Sequence, residues 1–311
     1  MAKTAEIKMK ELHSLYQNCT LCPRNCKKDR LSGEIGVCGV DSEIRVARAA
    51  LHMWEEPPIS GTNGSGTVFF SGCSLSCVFC QNSDISHKRD GKKISRKRLS
   101  EIFLELQEKG AHNINLVTPT HFIPDIVEAL DNAKAAGLRL PIVYNTGGYE
   151  NVEILGLLDG YIDIYLPDFK YERKDIALKY SHAADYPEKA KLALSEMVKQ
   201  TGKPTFDKNG IMQKGVIVRH LVLPGYTNDS MNVIKYLYST YKDDIYISIM
   251  NQYTPREAIK EIFPEISRKL TTYEYQKVVE YAKSIGVKNG FTQYGETAKE
   301  SFIPNFDYTG V

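Results

Sequence analysis

Residues 67–82 read TVFFSGCSLSCVFCQN. The run TVFFSG (67–72), β-branched and aromatic, predicts a strand. Cys73, Cys77 and Cys80 follow at once in the spacing C-x3-C-x2-C. Three thiols on one tight turn make a claw suited to a cubic iron–sulfur cluster, whose usual ligand set is four cysteines. One iron is then left open to another molecule. The plainer readings of three close cysteines are half of a zinc site or buried thiols.

Beyond this stretch, short apolar runs alternate with amphipathic ones, the pattern of successive βα units and a parallel sheet. Further strands are expected at NINLV (113–117), LPIVYN (140–145), YIDIYL (161–166), VIVRHLVL (216–223) and IYISIM (245–250). Helical periodicity is clearest in SRKRLSEIFLELQEKG, where Leu99, Ile102, Phe103 and Leu106 share one face and Gly110 supplies a stop. FIPDIVEALDNAKAAG, PEKAKLALSEMVKQTG and TYEYQKVVEYAKSIG repeat the device. Asn209-Gly210 predicts a hairpin with a type I′ turn ahead of the fifth strand. The Pro/Gly-rich EEPPISGTNGSG (55–66) marks a join. The expected division is therefore a Cys-rich extension and linker over 1–66, an α/β core over 67–290 and a tail over 291–311. Six βα units predict a partial (β/α)6 parallel barrel, with the claw at the C-terminal mouth of its strands, where such folds place their active sites.

A chain of 311 residues with a formal net charge of +2 carries no electrostatic footprint for nucleic acid. No apolar run is long enough to cross a membrane, and the N-terminus lacks the features of a secretory signal, so a cytoplasmic location is expected. In a reducing compartment, seven cysteines are better explained by metal ligation than by disulfides.

The motif GCSLSCVFCQN resembles the signature loop of the radical S-adenosylmethionine (SAM) enzymes, C-x3-C-x-aromatic-C, with Phe79 at the aromatic position and Asn82 just beyond. The resemblance implies a [4Fe-4S] cluster on Cys73, Cys77 and Cys80, with SAM chelating the open iron. It also implies reductive cleavage of SAM to a 5′-deoxyadenosyl radical that takes hydrogen from a substrate. Within that family the chain is similar to activating enzymes of the pyruvate formate-lyase type over roughly residues 67–255, and to their uncharacterised relatives, which share a cysteine-rich leader. YLPDFKY resembles the segment whose Asp and Lys contact the methionyl group, here Asp168 and Lys170. VIVRHLVLPGYTND resembles the strand whose arginine precedes a Pro-Gly turn, here Arg219, a candidate partner for the cofactor's carboxylate. The bland reading of these charges is exposed ion pairing at strand ends. An electron donor of flavodoxin or ferredoxin type is implied as well.

The sequence also departs from that pattern. Where such enzymes carry Gly-Gly-Glu to bind the methionyl amine, this chain has Thr118, Pro119 and Thr120, whose carbonyls and hydroxyls are the available acceptors. Tyr253 stands where they have a histidine. His121 is read as a site residue or as a structural one. Gly147 and Gly148 are read either as a simple turn or as a close backbone approach to the cofactor, with Asn145 hydrogen-bonding to it. Glu55 and Glu56 are expected on a solvated turn, the alternative being groups that reach the barrel mouth. Near the N-terminus, Cys19, Cys22, Cys26 and Cys38 follow C-x2-C-x3-C-x11-C, which admits a zinc ion, a second iron–sulfur cluster or free thiols.

Three functions follow as expectations. The first is a radical SAM enzyme acting on a glycyl residue of a partner enzyme. The second is a radical SAM enzyme acting on a small metabolite or peptide. The third is an iron–sulfur electron carrier without catalysis.

Overall fold

In this computed structural model, residues 11–293 and 303–311 are described; positions 1–10 and 294–302, the latter within the expected tail, lie outside them. The strands are β1 (Arg45–His52), β2 (Ser65–Phe70), β3 (Lys92–Lys93), β4 (Ile114–Val117), β5 (Ile142–Thr146), β6 (Ile164–Pro167), β7 (Thr205–Phe206), β8 (Met212–Leu221), β9 (Tyr246–Met250) and β10 (Gly290–Thr292). They form one sheet in the order β10-β9-β8-β6-β5-β4-β2-β1-β3, with β7 paired to β8. From β2 to β10 every neighbouring pair along this path is parallel. All six expected strands are present, and β2, β4 and β6 are buried along their whole length. Strands covered on both faces read as unbroken apolar runs, which is why they were legible.

The crossovers are α1 (Arg96–Glu108), α2 (Ile123–Ala135), α3 (Val152–Gly156), α4 (Lys174–Ser181), α5 (Tyr186–Thr201), α6 (Thr227–Tyr241) and α7 (Thr272–Ser284). In α1 the Ser95 side chain caps the Arg98 N–H, and the buried face is the expected Leu99, Ile102, Phe103 and Leu106. α7 opens with a reciprocal capping box between Thr271 and Glu274. The hairpin of β7 and β8 forms, but its turn differs from the expected type I′, which needs left-handed backbone at both central residues. Only Gly210 has positive φ (79°), because the Asp207 side chain accepts the N–H groups of Asn209 and Ile211 and holds Asn209 right-handed.

At its far edge the sheet gains β1, which pairs antiparallel with β2. The described tail runs beside β1: Ala49 N–H donates to the Thr309 carbonyl and Tyr308 N–H to that of Ala47, at 2.9 and 3.0 Å. The strand ends from β2 to β10 line a single cavity, together with tail residues Ile303 and Pro304, so the open sheet curves around one interior space.

Candidate active site

The cavity encloses about 590 Å³, within the usual span of small-molecule sites. Cys73, Cys77 and Cys80 line it, on the loop that leaves β2. Burial raises all three thiols above their ordinary range, and each is raised further by a neighbour: Cys73 by Cys80, Cys77 by Cys73 and Cys80 by Cys77. The backbone opposes this. Leu75 N–H donates to Cys73 Sγ (3.4 Å), and the Ser86 and Ser181 hydroxyls donate to Cys80 Sγ (3.3 Å) and Cys77 Sγ (3.0 Å). Among the described residues, in neither cysteine group do three ligand side chains stand at the spacing of a single ion. The fit of an iron–sulfur cluster at the claw rests on donor chemistry: three mutually facing thiols, amide and hydroxyl donors aimed at their sulfurs, and the Lys170 ammonium lowering all three.

Phe79 is buried against Tyr180 and Tyr253, edge to face at 6.4 and 6.1 Å, and lines the cavity with Asn82. Tyr253 itself donates to the Ile266 carbonyl at 2.6 Å. Thr118 and Asn145 line the cavity from the ends of β4 and β5. Pro119 and Thr120 are buried outside its lining, because Thr118 takes left-handed backbone (φ 56°) and the chain then winds into a 3-10 turn. That turn aims Thr120 at Glu150. His121 lies behind the claw, its Nε2 2.8 Å from the Ser71 carbonyl, and burial pushes its pKa down to about 3.

Asp168 and Lys170, at the end of β6, form an ion pair of 2.5 Å in the cavity. Burial opposes the ammonium, but Asp168 and Cys77 outweigh it and hold Lys170 charged. The close approach of β6 explains the paired glycines. Gly148 has φ 80°, and a Cβ there would stand 2.2 Å from the Asp168 carbonyl oxygen. Tyr186 ties the same backbone together: it accepts the Lys170 N–H and shares its hydroxyl hydrogen between the carbonyls of Gly147 and Asp168, all at 2.9 Å.

Glu55 and Glu56 do not sit on a solvated turn. Their side chains are each only 7% exposed, and both pair with Arg219, whose side chain is 13% exposed. Glu56 takes the guanidinium side-on, at 2.9 Å from Nε and 2.7 Å from Nη2, and Glu55 also accepts from Asn115 at 3.0 Å. Burial raises the Glu56 carboxyl, yet Arg219 outweighs it and the pKa ends below the ordinary value. Two carboxylates thus converge on one guanidinium in the cavity.

Sequence reasoning missed Glu150. It is buried and accepts hydrogen bonds from Thr120, Tyr144 and Thr146. Burial raises its pKa to about 7. A carboxylate directly after YNTGGY was the available signal: Tyr144 and Thr146 of that stretch bind it, joined by Thr120 from the turn after β4.

Three thiols at the mouth of a curved parallel sheet, with charged groups converging from the ends of β6 and β8 and from the segment before β2, define a cofactor-dependent α/β enzyme site. Residues 67–237 match the Radical SAM superfamily, and the chain belongs to it. Membership implies a [4Fe-4S] cluster and SAM, and SAM-dependent radical chemistry with them. The chain is 29% identical over 287 residues to "Uncharacterized protein MJ0674" of Methanocaldococcus jannaschii, covering 89% of this chain and 78% of that one. Its fold is similar to that of Streptococcus suis SuiB. The structure bound to S-adenosylmethionine matches with a TM-score of 0.50 and 14% identity, covering 72% of this chain and 48% of SuiB. The structure bound to the precursor peptide SuiA matches with a TM-score of 0.50 and 15% identity, covering 75% and 49%. The chain thus spans about half the length of those solved proteins. Among the described residues no helix is long and apolar enough to cross a membrane.

Proposed function

We propose that this protein uses SAM to abstract hydrogen from a small metabolite or a peptide side chain that bears a polar head. The observation that carries the substrate reading is the charged floor of the cavity, Glu55 and Glu56 against Arg219, since a bare glycyl residue offers nothing for such a floor to recognise. When bound, the cluster supplies one electron and an open iron, and SAM supplies the 5′-deoxyadenosyl group that takes the hydrogen. The chain's own work is to hold and to exclude. Cys73, Cys77 and Cys80 are the cluster ligands. Asp168 and Lys170 hold the methionyl end of SAM, with Thr118 and Asn145 as hydrogen-bonding neighbours. Phe79 and its tyrosine partners keep water from the claw. Arg219, already engaged by two glutamates, orients them toward substrate. A flavodoxin or ferredoxin in the cytoplasm is the electron donor.

A glycyl residue of a partner enzyme is the second reading, favoured by the likeness of YLPDFKY to the activating enzymes. The two separate in one experiment. The reconstituted, dithionite-reduced protein is incubated anaerobically with SAM and either a deuterated metabolite fraction or a deuterated, dialysed protein fraction. Deuterium entering 5′-deoxyadenosine from the metabolites supports the first reading. Deuterium from the protein fraction alone, with a glycyl doublet in the electron paramagnetic resonance spectrum, supports the second. Formation of 5′-deoxyadenosine with no deuterium from either overturns both.

A further inference from the structure

Apart from the claw, the four N-terminal cysteines surround a charge that the fold leaves without a carboxylate. Arg30 is fully buried. Its guanidinium lies 4.8 Å from the Tyr16 ring and 5.7 Å from that of Phe122, and it donates to the carbonyls of His121 (2.7 Å) and Asp41 (2.6 Å). Nε has no partner, and Nη1 stands 3.8 Å from Cys19 Sγ. The Asp125 carboxylate is taken by Tyr16, Arg96 and His13, and that of Asp41 by Arg45. The acidic side chains that face the guanidinium are the Cys38 and Cys19 thiols and the Tyr16 phenol. A buried cation requires an anionic partner, and neutral thiols are not one.

The sulfurs gather at the same place. A Cβ added at Gly36 would stand 3.3 Å from Cys26 Sγ, 3.4 Å from Cys38 Sγ and 3.7 Å from Arg30 Cδ, so a side chain there would invade the group. Cys22 faces Cys38 and Cys19 and receives the Arg24 N–H, as Cys73 receives that of Leu75 in the claw. Three cysteines within eight residues and a fourth farther on is a ligand spacing that iron–sulfur proteins also use. These sulfurs do not stand at the spacing of a single ion, and four thiolates around an oxidised cubane make a doubly negative centre. That is the anion Arg30 lacks.

We propose that Cys19, Cys22, Cys26 and Cys38 hold a second iron–sulfur cluster with an all-thiolate shell, that Arg30 is its buried counter-cation, and that the loaded loop is the footing of the claw. The footing is direct. Cys73 N–H donates to the Cys38 carbonyl at 3.1 Å. Arg24, between Cys22 and Cys26, donates to the Ser74 carbonyl at 2.8 Å and to the Ser181 carbonyl at 2.9 Å. Ser181 is the residue whose hydroxyl reaches Cys77 Sγ.

The test removes the claw and keeps the rest of the full-length chain. A Cys73→Ser/Cys77→Ser/Cys80→Ser variant, purified anaerobically, is expected to retain about four irons with a visible thiolate-to-iron band, and to lose them when Cys22→Ser/Cys38→Ser is added. Metal analysis and a sulfur-only shell at the iron absorption edge identify the centre, and one zinc in place of iron overturns the cluster. Arg30→Met is expected to weaken retention against a chelator by about 10–100-fold, with Arg30→Lys in between. In protein with an intact claw, Cys22→Ser/Cys38→Ser is expected to release claw iron faster. No stoichiometric metal, together with four N-terminal thiols freely titratable in the folded variant, overturns the site. Unchanged retention in Arg30→Met overturns the role of the arginine. Neither result bears on the radical chemistry.

Discussion

Lys170 and Glu150 show how burial decides the work of a single charged group. Lys170 stays charged because Asp168 lies 2.5 Å away. On the site proposed above, replacing it by methionine is expected to weaken SAM binding by about 10–100-fold, on the order of 1.5–3 kcal/mol. Calorimetry of the reconstituted protein checks this, and equal affinity would remove Lys170 from the SAM site. Glu150 is the opposite case, a carboxyl whose pKa burial raises to about 7. In the folded chain it holds its proton until about that pH, whereas unfolded it loses it at about pH 4–5. The folded state thus binds more protons between these values, and stability falls as pH rises through them. Glu150→Gln is expected to remove about 3 kcal/mol of that decline, measured as urea unfolding at pH 5 and pH 8. An identical pH dependence in the variant would show that Glu150 ionises normally. The claw and the Asp168 and Lys170 pair were legible because each is a local motif. The glutamate pair on Arg219 was not, because its partner lies more than 160 residues along the chain, and neither Arg30 nor Glu150 belongs to a local motif.

At the scale of elements, the β5–β6 connection shows what its turn accommodates: the left-handed backbone of Gly148 lets the Asp168 carbonyl approach. Gly148→Ala meets both a left-handed backbone and the Asp168 carbonyl. It is expected to cost about 2–5 kcal/mol and to displace the Asp168 and Lys170 pair. Thermal unfolding and SAM affinity should fall together, and a loss of stability with intact SAM binding would detach the glycine from the site. The buried parallel strands declared themselves as apolar runs. β1 did not, since Arg45 and Arg48 break the run RVARAALH and its outer neighbours are the two-residue β3 and the tail, the latter some 260 residues away and in contact through Arg48 and Asp307 at 2.7 Å.

Over the whole molecule, the tail and the segment before β2 complete a cavity that the parallel strands alone leave open. Phe306 packs edge to face on Phe69 at 5.4 Å, and Ile303 and Pro304 stand in the cavity wall. Removing residues 303–311 takes the acceptor from the Ala49 N–H. Hydrogen exchange at Ala49 is expected to accelerate markedly, while protection in β5 and β6 stays unchanged; unaltered exchange at Ala49 would mean that the tail does not hold β1. The same reasoning joins the two cysteine loops, since the first hydrogen-bonds directly to the second.

The account stands on the claw presenting three sulfurs to a cluster that SAM can reach. The most direct measurement is release of 5′-deoxyadenosine from SAM by the anaerobically reconstituted, dithionite-reduced protein, beside a Cys77→Ala variant prepared in the same way. Product from the wild type and none above background from the variant is the predicted result. Equal product from both, or none from a wild type shown to carry its cluster, would contradict it.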